Sequence, residues 1–184
     1  MTGLADYYRR QVAILTPHFV SPMTKTFDIG TCQWGGGERY LIDLASLLAE
    51  RGHSVALYQA SEKPWTGVVK GFTLHGVGAG GRRDRCGFHP KTAEAFRTRV
   101  ADNYDLCIYM NIDVSIYANP NSIAITHGIF WDSFKTADLK WTDKTWLNSM
   151  YSAHMNPKLV VSVDTNSINW VRAVFGTDTA SRMR

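Results

Sequence analysis

Three consecutive glycines, Gly35-Gly36-Gly37, separate the apolar run Val12-Ala13-Ile14-Leu15 from an amphipathic stretch that opens at Glu38. A glycine has no Cβ, so a ligand can approach its main chain. A helix starting there also offers unpaired N–H groups at a partly positive end. The chemistry this suits is anion binding, a phosphate above all. The same glycines could instead tighten a turn and pack the helix on a sheet, but their place at the close of the first βα loop favours a ligand. His127-Gly128 follows a second apolar run, Ser122-Ile123-Ala124-Ile125-Thr126. An imidazole at the carboxyl end of a parallel strand faces the ligand crevice and can exchange hydrogen bonds with a hydroxyl or a phosphate near neutral pH. A lone histidine is more often structural, so His127 is a candidate through its position. Asp113, Asp132 and Asp164 also follow strands, and Asp164 reads as a helix cap.

Other motifs weigh less. Gly76-x-Gly78-x-x-Gly81 matches the dinucleotide fingerprint by letter, yet the next helix cannot readily begin before Pro90, and the apolar run at 105–110 that follows carries no acid on its last residue. It is expected to be a basic loop, continuing into Arg82, Arg83 and Arg85. No Gly-x-Ser-x-Gly elbow is present, and no P-loop lysine follows a glycine run. Phe130, Trp131, Phe134, Trp141 and Trp146 are core residues by default, although exposed members could stack on a sugar or rest at a membrane surface.

The elements that must position these residues follow from periodicity. Strands are expected at 11–16, 54–59, 72–77, 105–110, 122–126 and 159–163. Helices are expected at 37–50, with Leu41, Leu44, Ala45 and Leu48 on one face, and at 90–104, 144–154 and 168–175. Arg51 and Gly52 close the first of them, Gly52 in the left-handed conformation. The connection over residues 18–34 is long for a βα loop, which marks it as a functional candidate. Alternating strands and helices predict an α/β fold, a Rossmann-like parallel sheet of about six or more strands with helices on both faces. The domain spans residues 11–176, after a polar lead-in at 1–10 in which Leu4, Tyr7 and Tyr8 could pack on it. Residues 177–184 have no apolar pattern and read as a tail or the start of a linker.

At 184 residues, 45% hydrophobic and 20% charged, the chain has the makeup of one ordinary globular domain. No apolar run approaches the roughly 20 residues of a membrane span, and residues 1–10 contain no signal-peptide core. Cys32, Cys86 and Cys107 are too few and too dispersed for a disulfide framework or zinc knuckle, and are expected as free thiols. A net charge of +4 permits an anionic ligand, but the dispersed basic residues do not make a nucleic-acid stripe.

Taken together, Gly35-Gly36-Gly37-Glu38-Arg39, Asp43-Leu44-Ala45, Leu48, Arg51-Gly52-His53 and Val55 resemble the N-terminal half of glycosyltransferase family 4 enzymes of the GT-B fold. His127-Gly128 after strand five resembles that family's histidine, and Asp164-Thr165-Asn166 before the last helix suits the end of that half. The resemblance covers residues 11–175. It implies an acceptor-side domain of a retaining, metal-independent transferase that uses a nucleotide-diphosphate sugar as co-substrate and holds no tight cofactor. It further implies that Gly35, Gly36 and Gly37 approach the donor diphosphate and that His127 lies near the transferred sugar. Trp34, Arg82, Arg83, Trp131 and Asp132 would border the acceptor site.

The family's C-terminal donor domain, with its glutamate pair and basic grip on the phosphates, has no counterpart in these residues. The resemblance therefore implies a truncated domain that is inactive, or nearly so, alone. The expected setting is the cytoplasm, or peripheral contact with the cytoplasmic membrane face, with a glycan or lipid-linked acceptor and no nucleic acid. Two rivals remain from the residues: an NAD-linked sugar-nucleotide epimerase or dehydrogenase, for which Glu62 comes slightly late as a ribose partner, and a non-catalytic lipid- or glycan-binding module.

Overall fold

The computed structural model describes residues 9–21, 23, 25–32, 34–128 and 143–184. Their core is a seven-stranded sheet in the order β3-β4-β2-β1-β5-β6-β7. The strands are β1 (Gln11–Thr16), β2 (Ser54–Gln59), β3 (Pro64–Val69), β4 (Phe72–Val77), β5 (Leu106–Tyr109), β6 (Ser122–Thr126) and β7 (Leu159–Ser162). All neighbours pair in parallel except β3 and β4. The expected α/β, Rossmann-like sheet is therefore present.

β1 is the centre. Val12, Ala13, Ile14 and Leu15 are all buried, as a strand covered on both faces requires. Its alternate residues divide between two apolar clusters. Val12 and Ile14 pack with Leu41 and Ala45 of α1 (Gly36–Glu50). Ala13 and Leu15 pack in the cluster that holds Ala93 and Phe96 of α2 (Pro90–Arg99), Trp146 and Met150 of α3 (Lys144–Met155), and Val171 of α4 (Thr165–Phe175). The period-2 alternation of one strand thus separates the helices onto two faces.

Three local differences from expectation have clear causes. β3 is an edge strand that Pro64 and Gly67 conceal, because proline is confined to edges or first positions and glycine weakens a run. Lys70 (φ 50°) and Gly71 (φ 86°) close the β3–β4 hairpin as two left-handed residues. The helix expected over 90–104 ends at Arg99 and continues as a 3₁₀ turn, Ala101–Asn103. Finally, the tail folds into α5 (Thr177–Ala180) and docks on β7: Val160 N–H donates to Arg182 O, and Arg184 N–H donates to Val160 O. Met183 is buried there, so a segment without apolar period still covers a sheet edge. Residues 1–8, including Leu4, Tyr7 and Tyr8, lie outside the described residues.

Candidate functional site

The chain runs outward from β1 through β2 to β4, then returns to place β5 on the other side of β1. The sheet's topological switch point is therefore between β1 and β5, where open α/β sheets bind ligands beyond their strand ends. A crevice of about 360 Å³ lies there. Thr16 and Pro17 line it from the end of β1, Met110 and Asn111 from β5, His127 from β6, and Val163 from β7. Gly36, Gly37 and Glu38 close it from the start of α1. Two of the three predicted glycines, Gly36 and Gly37, thus share one small cavity with His127, about ninety positions away in sequence.

The local structure of Gly36 and Gly37 decides between the two roles that glycine could have. A Cβ built on either would meet nothing within 4 Å, and neither has a positive φ. No turn and no helix–sheet packing demands glycine at these positions. Gly35 is the N-cap, and no side chain caps the helix. The first-turn N–H groups of α1 thus open on the crevice without a capping side chain from the protein. Gly35 itself does not line the cavity; a Cβ there would come 2.7 Å from the flexible Glu38 carboxylate.

His127 stands across from these donors, its ring edge-on to Tyr40 at 5.6 Å. Burial holds its imidazole below the ordinary value, outweighing a hydrogen bond to the Met110 backbone and the charge of Glu38, both of which pull it up. A neutral imidazole near pH 7 is the form that can both donate and accept. Next to it, Gly128 (φ 104°) leaves little room: a Cβ would lie 3.1 Å from Asp164 Oδ2. Asp164 caps α4 through Ser167 N–H at 2.9 Å, as its place in the sequence suggests.

Pro17 delivers His18 to the rim, where its Nε2 lies 3.9 Å from Glu38 Oε1. Burial lowers the His18 pKa most, with Glu38 opposing and Arg83 assisting. Beyond His18 the crevice adjoins a second cavity of about 650 Å³, bordered by Ser21, Gly81, Arg82, Arg83 and His89. Arg82 and Arg83 therefore line a cavity that shares His18 with the crevice.

Arg83 is held from behind. Its Nη2 is 3.0 Å from Oδ2 of Asp113, which is 0% exposed, and its Nε donates to His89 Nε2 at 3.2 Å. Neither Asp113 oxygen has a well-aligned donor, so the attraction is chiefly one of charge. Burial pushes the Asp113 carboxyl up to about 6 although Arg83 pulls it down. Burial, then Arg83, then His18 push His89 down to about 3, which keeps Nε2 free to accept.

The start of the long loop is anchored with equal care. Gln59, at the end of β2 and 0% exposed, accepts from Phe19 N–H (2.8 Å) and Val20 N–H (2.9 Å). Its amide donates to Val20 O (3.1 Å) and Ala60 O (2.9 Å), so every polar valence of the side chain is used.

Not every candidate converges on the crevice. Trp34, 42% exposed, packs edge-on to Phe19 at 5.2 Å with Lys70 Nζ 5.5 Å from its ring, and lines neither cavity. Trp131 and Asp132 lie outside the described residues. Gly76 is inside β4, while Gly78, Gly80 and Gly81 form a left-handed loop far ahead of Pro90, so the strand–turn–helix context of a dinucleotide fingerprint is not formed. Glu62 faces Lys25 Nζ at 3.9 Å. Of the cysteines, Cys86 and Cys107 are buried thiols and Cys32 is half-buried. Among the described residues, no three His, Cys, Asp or Glu side chains converge as metal ligands would, and no helix is long and apolar enough to cross a membrane.

A wider concavity of about 990 Å³, bordered by Arg97, Tyr117, Asn121 and Lys158, sits at the amino ends of β6 and β7. It is on the wrong edge of a parallel sheet for the ligand position that strand direction favours, so the smaller crevice is the better candidate. Compared with known proteins, the chain matches no family model and no protein of curated function.

Proposed function

We propose that this chain is the acceptor-binding domain of a retaining, metal-independent nucleotide-sugar glycosyltransferase that acts in the cytoplasm on a glycan or lipid-linked acceptor. The observation that carries the proposal is the pair Gly36 and Gly37. They stand at an uncapped helix N-terminus, facing a histidine, at positions where the fold itself has no need of glycine. In the proposed reaction their N–H groups hydrogen-bond the departing diphosphate, stabilising charge where it develops. Neutral His127 hydrogen-bonds a hydroxyl of the transferred sugar. Specificity for the nucleotide base resides in a donor-binding domain facing this one, and residues 1–184 alone turn over donor sugars little.

The glycines supply the test. Gly36→Ala and Gly37→Ala, at open sites with ordinary φ, will raise helix stability by about 0.5–1 kcal/mol each. The same changes will weaken pyrophosphate binding at least tenfold, because each methyl projects into the approach to the N–H groups. Thermal unfolding and calorimetric titration read the two effects separately. Variants that gain stability and keep full affinity would refute the role given to the glycines.

A further inference from the structure

The second cavity holds more machinery than a loop needs. Burying a carboxylate and pairing it with arginine seldom stabilises a fold better than apolar packing would. Here Asp113 is fully buried, and its partner is a half-exposed arginine on a loop with left-handed Gly78, Gly80, Gly81 and Gly87. Asp113 and His89 take Nη2 and Nε of Arg83, while Nη1 has no partner among the described residues. Arg82 lines the same cavity. A guanidinium fixed from behind, with donors left toward a cavity, is suited to bind a planar or tetrahedral oxyanion, and its ordering cost is met before the ligand arrives.

We propose that this cavity binds the anionic group, a phosphate or a carboxylate, of the molecule that accepts the sugar, with Arg83 and Arg82 contacting it and Asp113 and His89 positioning Arg83. Calling that molecule the acceptor rests on the proposed function; the anion site itself stands on the cavity. The charged and titratable groups facing Arg83 are Asp113, His89 and His18, with Glu38 behind His18. Above about pH 6 the Asp113 carboxylate partly neutralises Arg83, and below it the protonated acid does not. Anion affinity therefore rises as pH falls through that value, and protonation of His18 acts in the same sense.

The test is nuclear magnetic resonance titration of residues 1–184 with glycerol phosphate, with sulfate, and with phosphatidylcholine vesicles with and without phosphatidylglycerol. Shifts at Gly81, Arg82, Arg83 and His18 are expected, weakened at least tenfold in Arg83→Gln and in Arg82→Ser. A response to glycerol phosphate identifies a soluble phosphate as sufficient, and a response to anionic vesicles alone identifies a lipid headgroup. Sulfate keeps its charge across the range, so its affinity will climb more steeply below pH 6 in the native chain than in Asp113→Asn. Equal slopes would overturn the coupling of Asp113 to Arg83 on which the site is built. Shifts confined to Gly36 and Gly37, with both arginine variants unchanged, would overturn the site while leaving the glycosyltransferase proposal intact. Shifts at Arg82 and Arg83 combined with no pyrophosphate response at Gly36 and Gly37 would uphold the anion site and remove the acceptor as its ligand.

Discussion

Replacing Gln59 by leucine will lower the free energy of unfolding by about 4 kcal/mol, on the scale of roughly 1 kcal/mol per hydrogen bond lost, with a further desolvation penalty for partners left buried. The side chain makes four hydrogen bonds, to the N–H groups of Phe19 and Val20 and to the carbonyls of Val20 and Ala60. Leucine fills similar volume and satisfies none of them. Phe19 and Val20 are themselves fully buried, so water cannot take over without moving the chain. His18 precedes them and borders both cavities, and anion binding will weaken along with stability. Gln59→Glu keeps the acceptors, loses the donors and buries a charge, and will be at least as damaging. Urea unfolding followed by tryptophan fluorescence measures the effect. A loss below about 1 kcal/mol would show that the network is not the anchor described.

Arg83→Met will be costly at pH 8 and nearly neutral at pH 5. The folded Asp113 carboxyl has its pKa raised to about 6, above its unfolded value. Its contribution to stability is therefore fully present below the unfolded pKa and is lost as pH rises through the folded one. Removing Arg83 raises the folded value further, so the loss extends to higher pH. The expected deficit at pH 8 is about 2 kcal/mol, below the usual 3–5 for a broken buried pair because Arg83 is half-exposed and the acid can retain its proton. Asp113→Asn will be as stable as the native chain at pH 8 or more so, since it removes the buried charge itself. His89 works in the opposite direction: its folded pKa is lowered to about 3, so its contribution is present above the unfolded value and lost on acidification. Comparing Arg83→Met with the native chain at each pH cancels the intrinsic part of that slope. An equal deficit at pH 5 and pH 8 would contradict the electrostatic account of the pair.

What the sequence revealed depended on how local each signal was. The centre of the sheet, α1 and the strand at Ser122–Thr126 were legible, because continuous apolar runs and a 3.6-residue period need only their own residues. The place of His127 on the crevice followed from its position after a strand, and the same rule applied to β1 and β5 leads to His18 and Asn111, which also line it. β3 was hidden by Pro64 and Gly67, whose meaning depends on a partner strand and on Phe27, whose ring would clash with a Cβ at Gly67. The tail was hidden because its hydrogen bonds to β7 are made by the main chain, and its buried Met183 and Ala180 form no periodic pattern. Least legible was the pairing of Arg83 with Asp113. Thirty positions separate them, and neither residue type nor spacing says that one is buried behind the other.

The most direct test of the central claim is amide chemical-shift mapping of residues 1–184 during titration with pyrophosphate at neutral pH. The largest shifts are expected on the N–H groups of Gly36, Gly37 and Glu38, with His127 moving in step, and in Gly37→Ala they will need at least tenfold more pyrophosphate. Shifts centred instead on Arg97, Lys158 and Arg182 at the opposite edge of the sheet, or none near Gly36 and Gly37, would contradict that claim.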